Sequence, residues 1–154
     1  MLGLVLVGHA PLGQATLEVI RHILGEVPEG VVAIDVAADA VVEHTVLRIQ
    51  EAAKDVNTGE GVVFLTDLFG ATPSNAAQRA AAEGLNVPTV LVAGCSVPML
   101  VRALSYRNVP LSEVGEKLVS GGRNGIVSTG PTTPQRQTNN PAPNHDSARH
   151  HHQQ

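Results

Sequence analysis

The sequence predicts a single α/β domain built on a parallel sheet. Short apolar runs alternate with amphipathic helical patterns, the connections between them are short, and a chain of 154 residues is long enough for one core. Right-handed crossovers leave few topologies for such a chain, and four strands in the order 2-1-3-4 are the commonest. We therefore expect a four-stranded sheet with helices on both faces.

Each element follows from a local pattern. The strands are predicted from apolar runs at residues 2–7, 31–35, 61–66 and 89–93. Pro11 and Pro73 are expected in the first turn of a helix, where a missing N–H costs nothing, and Asp39 and Thr72 are expected as helix caps. The predicted helices cover residues 12–24, 39 to about 54, 72 to about 83, 98–105 and 111–119.

The character of the chain changes near residue 128. Residues 129–154 contain four prolines and no Val, Ile, Leu or Phe, so they cannot bury enough apolar surface to offset the entropy of ordering. We expect residues 1–128 to form the folded domain and residues 129–154 to be a disordered polar tail, with a run of three histidines at residues 150–152.

Composition excludes several classes of function. The net charge of −4 and the three aromatic residues (two Phe and one Tyr) argue against nucleic-acid binding. No apolar run approaches the roughly 20 residues that span a bilayer, and no basic leader precedes the first strand, so we expect a cytoplasmic protein without membrane insertion. The single cysteine, Cys95, cannot form an internal disulfide or a thiolate zinc cluster.

His9 and Asp67 carry the strongest predicted chemistry. His9 lies two residues beyond the first predicted strand, and Asp67 directly follows the third. In the order 2-1-3-4 these strands are neighbours, about 4.8 Å apart, and the chain leaves them towards opposite faces, which makes the crevice between them a typical ligand site. The carboxylate can fix one ring N–H and leave the other nitrogen free to attack. The pair therefore predicts a histidine that accepts and donates a phosphoryl group.

Two predicted helix N-termini face the same crevice. Leu12 and Gly13 on the first helix and Ser74 on the third should offer backbone amides to a phosphoryl group, and Thr72 should add a hydroxyl. Phosphoryl transfer requires mainly alignment and charge stabilisation, so this set of donors is sufficient.

Three segments carry a resemblance to a known family. They are GLVLVGHAPLGQATL around His9, VVFLTDLFGATPSNAA around Asp67, and AGCSVPML after the fourth strand. Through them, residues 1 to about 128 resemble the enzyme IIA domain of the mannose class from the bacterial phosphoenolpyruvate-dependent sugar phosphotransferase system. The middle segment is the most specific of the three.

The resemblance implies a function and an assembly. It implies that His9 is phosphorylated, that Asp67 is its partner and that Thr72 lies near the phosphate. It also implies phospho-HPr as the donor, a IIB component as the acceptor, and no metal or organic cofactor. The implied fold is a flavodoxin-like three-layer sandwich, usually a homodimer in which a C-terminal edge strand pairs with the partner's sheet. Residues 125–128 (GIVS) are the candidate for that short strand.

Other functions remain open. A related phosphotransfer domain that serves dihydroxyacetone kinase has the same histidine arrangement. A flavodoxin-like binding or regulatory module without covalent chemistry is a third possibility, although the chain has neither a Gly-x-Gly-x-x-Gly pattern in its first turn nor a Walker-type lysine. A histidine phosphatase or mutase is disfavoured because Gly8, not Arg, precedes His9.

Overall fold

A parallel sheet of four strands forms the centre of the fold. In the computed structural model, which describes residues 1–131, the strands pair in the order β2-β1-β3-β4. This confirms the predicted topology. The strands are β1 (Gly3–His9), β2 (Val31–Val36), β3 (Val62–Thr66) and β4 (Thr89–Ala93).

Five helices cover the two faces of the sheet. Alternate residues of β1 point to opposite sides, so Leu4 and Leu6 pack in one apolar cluster and Val5 and Val7 in the other. The first cluster is completed by α1 (Leu12–Leu24), α4 (Val97–Ser105) and α5 (Leu111–Asn124), and the second by α2 (Val42–Val56) and α3 (Thr72–Ala82). The structure is therefore the three-layer α/β arrangement that was predicted.

Four of the five predicted helix starts lie within one residue of the observed ones, whereas the predicted capping residues differ. Asp39 does not cap α2, because the helix begins at Val42 after an extended Val41. Thr72 is the first helical residue of α3 and Ala71 occupies the cap position. Pro11 occupies the cap position of α1, one residue before the helix. Pro11 and Thr72 thus lie one position from their predicted places, and only α2 begins clearly later than predicted, by three residues.

The C-terminal part of the domain differs most from expectation. Helix α5 continues to Asn124, five residues past the predicted end. Residues 125–128 form no strand in this structure of one chain, so the predicted C-terminal edge strand is absent from it. Of the predicted tail, residues 132–154 lie outside the described residues, and so does the histidine run. None of the helices within residues 1–131 is both long and apolar enough to cross a membrane.

Candidate active site

His9 and Asp67 lie at the carboxyl edge of the two central strands. His9 is the last residue of β1, and Asp67 directly follows β3, which pairs with β1 in parallel so that Val7 is opposite Thr66. The chain leaves β1 into α1 on one face and β3 into α3 on the other. The two side chains therefore meet at the point where the direction of winding reverses.

One carboxylate holds both the backbone and the ring of His9. Asp67 Oδ2 accepts the backbone N–H of His9 at 2.8 Å and lies 2.8 Å from His9 Nδ1. Asp67 Oδ1 accepts the backbone N–H of Leu68 at 2.9 Å. With Nδ1 directed at the carboxylate, that nitrogen carries the proton and Nε2 is left with its lone pair.

Exposure and charge divide the roles of the two residues. The His9 side chain is 51% exposed and the Asp67 side chain 13% exposed. Burial raises the pKa of Asp67, but hydrogen bonds from the His9 backbone and ring, the charge of that ring and the Leu68 N–H outweigh it and hold the pKa below its ordinary value. The result is a fixed anion beneath an accessible imidazole.

The predicted phosphate ligands differ in whether their hydrogen-bonding groups are free and exposed. The Gly13 amide is not free, because it donates to Asp35 Oδ1 at 2.8 Å. Ser74 is fully buried, and its hydroxyl accepts the Gly70 N–H at 3.1 Å. The Ser74 side chain therefore stabilises the loop and does not face solvent, while the predicted role of its backbone amide stays a prediction. Leu12 and Thr72 remain exposed at the starts of their helices, where their role as phosphate ligands stays a prediction.

Asp35 is the residue that the sequence analysis missed. It lies in β2, opposite Gly8 in the parallel register, and accepts the backbone N–H groups of Gly13 at 2.8 Å and Gln14 at 3.2 Å. It thus caps α1 from a neighbouring strand and places a carboxylate at the positive end of that helix. The one sequence feature that could have indicated this role is the acidic residue at the end of the otherwise apolar run VVAID.

The space beside Asp67 is small. A pocket of about 20 Å³ is lined by residues that include Gly8, Leu12, Asp67 and Cys95, and about 10–15 Å³ is needed for one water molecule. Burial, followed by the charge of Asp67, raises the pKa of Cys95 to about 12, so its thiol stays protonated and is a poor nucleophile. Organic cofactors occupy cavities of about 300 Å³ or more, so this pocket is too small to enclose one.

Metal binding was not predicted for this site. Within residues 1–131, no three His, Cys, Asp or Glu side chains gather closely enough to hold a metal ion.

Sequence comparison identifies relatives of known family. The family model described as PTS system fructose IIA component matches residues 3–118. A PTS system fructose-specific EIIA component of Bacillus subtilis (strain 168) is 30% identical over 107 residues, 70% of this chain and 71% of the relative. A PTS system mannose-specific EIIAB component of Escherichia coli (strain K12) is 30% identical over 120 residues, which are 77% of this chain and 36% of that longer protein.

Solved structures agree on the fold. Phosphotransferase system component EIIA from Streptococcus agalactiae superposes with a TM-score of 0.75 at 24% identity, covering 83% of this chain and 97% of that one. The mannose/sorbose specific IIA subunit from Enterococcus faecalis gives a TM-score of 0.73 at 20% identity, covering 86% and 97%. The resemblance seen in the three sequence segments is thereby confirmed, and the chain belongs to the EIIA-man family of sugar phosphotransferase system components.

Proposed function

We propose that this chain is a phosphocarrier that accepts a phosphoryl group on His9 from phospho-HPr and passes it to a IIB component, in sugar uptake or its regulation. The observation that carries the proposal is the double attachment of His9 to Asp67 Oδ2, through backbone N–H and ring, each at 2.8 Å. It leaves Nε2 as the nitrogen with a free lone pair on a half-exposed ring.

In the proposed transfer, His9 supplies the nucleophile and Asp67 the balancing negative charge. The Nε2 lone pair of His9 attacks phosphorus, the new N–P bond forms, and the bond from phosphorus to the donor's histidine nitrogen breaks. The electron pair of that bond stays with the donor ring. The proton on Nδ1 of His9 remains in its hydrogen bond to Asp67, and the carboxylate offsets the positive charge that the phosphorylated ring acquires. Transfer to the acceptor is the reverse sequence with a second protein.

The surface around His9 suits contact with partner proteins. Leu68 and Phe69 directly follow Asp67 and are 60% and 71% exposed. Exposed apolar side chains beside a reactive group are typical of a contact surface that closes around the reacting atoms and excludes water. The proposed role with phospho-HPr implies that the protein works in the cytoplasm.

Phosphoryl labelling tests the proposal directly. The protein is incubated with labelled phosphoenolpyruvate, enzyme I and HPr, and acid-labile, alkali-stable phosphate is measured. We expect a single label that is lost in His9→Ala and retained in His22→Ala, because His22 is an exposed histidine within α1. Label that persists in His9→Ala would refute the assignment.

Transfer from the labelled protein separates the alternatives. Passage of the label to a IIB component supports sugar phosphotransfer, whereas passage to a dihydroxyacetone kinase subunit and not to IIB supports the second candidate. The absence of any label, with a tightly bound small molecule instead, would support a binding module. The 20 Å³ pocket beside Asp67 argues against a binding module that uses this edge of the sheet.

We also propose that the protein is a homodimer joined through residues 125–128. Ile126 and Val127 are highly exposed apolar residues directly after α5, and β4 is the edge strand next to β3 alone within the described residues. An exposed strand edge invites pairing with a second chain. Sedimentation should detect a dimer in the full chain and a monomer in Val127→Asp, and a monomeric parent protein would contradict this proposal.

A further inference from the structure

A polar groove lies between α4 and α5, away from His9. It has a volume of about 280 Å³, and none of its lining residues lines the pocket beside Asp67. Its lining contains two cations, one aromatic ring and several polar groups: Arg102, Tyr106, Glu116, Lys117, Ser120, Gly121 and Asn124.

Two cations are held against one ring in this groove. The Arg102 guanidinium carbon lies 6.0 Å from the centroid of the Tyr106 ring, and the Lys117 ammonium nitrogen lies 5.4 Å from the same centroid. Cation–π contacts of this kind orient a charged group without neutralising it. Both positive charges therefore stay available in a fixed region of the surface.

A glycine fixes the position of the arginine. A Cβ atom at Gly121 would lie 2.5 Å from Cγ and 2.9 Å from Cβ of Arg102. Because Gly121 has no side chain, the arginine stem can lie directly on the backbone of α5. The guanidinium then reaches the groove on a stem that is already ordered, which reduces the entropy lost when a ligand binds.

Neither cation has a carboxylate partner among the described residues. The ion pairs within residues 1–131 involve neither Arg102 nor Lys117. Glu116 lines the groove, but it forms no ion pair with either cation. Ser120 and Asn124 follow Lys117 at intervals of three and seven, so they lie on the same face of α5 and add a hydroxyl and an amide.

We propose that this groove binds a small, multiply charged phosphate compound through Arg102 and Lys117. The guanidinium fork matches two oxygens of a phosphate, the ammonium supplies a point charge, and the hydroxyl and amide can meet further oxygens. The volume, near the lower end of small-ligand sites at about 300 Å³, restricts the ligand to a small compound. The inference does not depend on phosphorylation of His9.

Tyr106 provides an intrinsic fluorescence probe for this groove. Tyr106 is the single tyrosine and there is no tryptophan, so ultraviolet fluorescence reports on the groove with little contribution from the rest of the protein. Titrating the full chain with pyrophosphate, at constant ionic strength set with sodium chloride, should produce a saturable change in Tyr106 emission. Calorimetry in the same buffer measures the binding independently of the fluorescence.

Matched variants locate the site. Lys117→Gln should weaken pyrophosphate binding about tenfold or more, which is the effect of losing one charge-assisted partner. Lys54→Gln removes one positive charge from the last turn of α2, on the opposite face of the sheet, and should leave the affinity unchanged. His9→Ala should also bind as the parent protein does, which separates this result from the outcome of the labelling experiment.

Three results would overturn the proposal. The first is no binding of pyrophosphate by either fluorescence or calorimetry. The second is an equal loss of affinity in Lys54→Gln and Lys117→Gln, which would indicate general attraction to positive charge. The third is citrate binding as tightly as pyrophosphate, which would exclude a preference for phosphate compounds.

Discussion

Replacing Asp67 with asparagine tests the central pair without changing its size. The carboxylate accepts three N–H groups: the His9 backbone and ring at Oδ2, and the Leu68 backbone at Oδ1. An asparagine has one oxygen and one NH₂ group in the same places. If the oxygen faces His9, the NH₂ group faces the Leu68 N–H, and these two donors cannot form a hydrogen bond. If the oxygen faces Leu68, the NH₂ group faces the His9 backbone N–H, and that hydrogen bond is lost. The NH₂ group also favours the His9 tautomer that carries its proton on Nε2. A protonated Nε2 has no lone pair with which to attack phosphorus.

The magnitude follows from these contacts. One lost hydrogen bond to a charged group costs about 1.5–3 kcal/mol, and each 1.36 kcal/mol on a barrier is about tenfold in rate. Loss of the charge that offsets the phosphorylated ring adds to this. We therefore expect Asp67→Asn to accept the phosphoryl group about 100-fold more slowly than the parent protein, while the protein remains folded.

The assay is the initial rate of label transfer from phospho-HPr at fixed donor concentration. Asp35→Asn is the matched control, because Asp35 also accepts two backbone N–H groups at the same sheet edge, both through a single oxygen, which asparagine can replace. Its rate should stay within about twofold of the parent rate. The reasoning is refuted if Asp67→Asn transfers within about threefold of the parent rate, or if Asp35→Asn is slowed as strongly.

Three further predictions concern stability. Ser74→Ala removes the buried acceptor of the Gly70 N–H and should lower the free energy of unfolding by about 1–3 kcal/mol in urea denaturation; an unchanged midpoint would contradict its structural role. Gly13→Ala would bring a Cβ within 2.7 Å of Asp35 Oδ1, so thermal unfolding should show a loss of about 1–3 kcal/mol, and a stabilised variant would be inconsistent with the cap. Because the folded pKa of Asp67 lies below its ordinary 3.8, its contribution to stability is complete above that value and is lost as the pH falls through the lower, folded value. Urea unfolding between about pH 5 and about pH 2 should show this loss in the parent protein and not in Asp67→Asn.

The topology was predictable because local patterns and chain geometry agree. Apart from His9 and Thr66 at their carboxyl ends, β1 and β3 have no polar side chain, as is typical of strands buried on both faces. Short connections and right-handed crossovers then leave β1 beside β3. The proximity of His9 and Asp67 follows from that order, although they are separated by 58 positions in the chain.

Other features depend on tertiary contacts that no local pattern encodes. Asp35 caps a helix that begins 23 residues before it, so recognising it requires knowledge of how β2 lies against the start of α1. Helix α5 continues past its predicted end at residue 119, through Gly121 and Gly122. Glycine at these two positions lets α4 lie close, since side chains there would collide with Arg102 and Met99 of that helix.

The capping of α1 by Asp35 affects how tightly this edge of the sheet can bind a phosphoryl group. A helix terminus with two of its amides already bonded to a carboxylate, and that negative charge beside it, attracts a bound anion less strongly. Tight binding of the phosphoryl group would lower the free energy of the phosphorylated protein. The activation barrier for transfer to an acceptor would then be higher. In the proposed phosphocarrier role, weak binding of the phosphoryl group favours its transfer to the acceptor. The Asp35 carboxylate at this edge of the sheet keeps that binding weak.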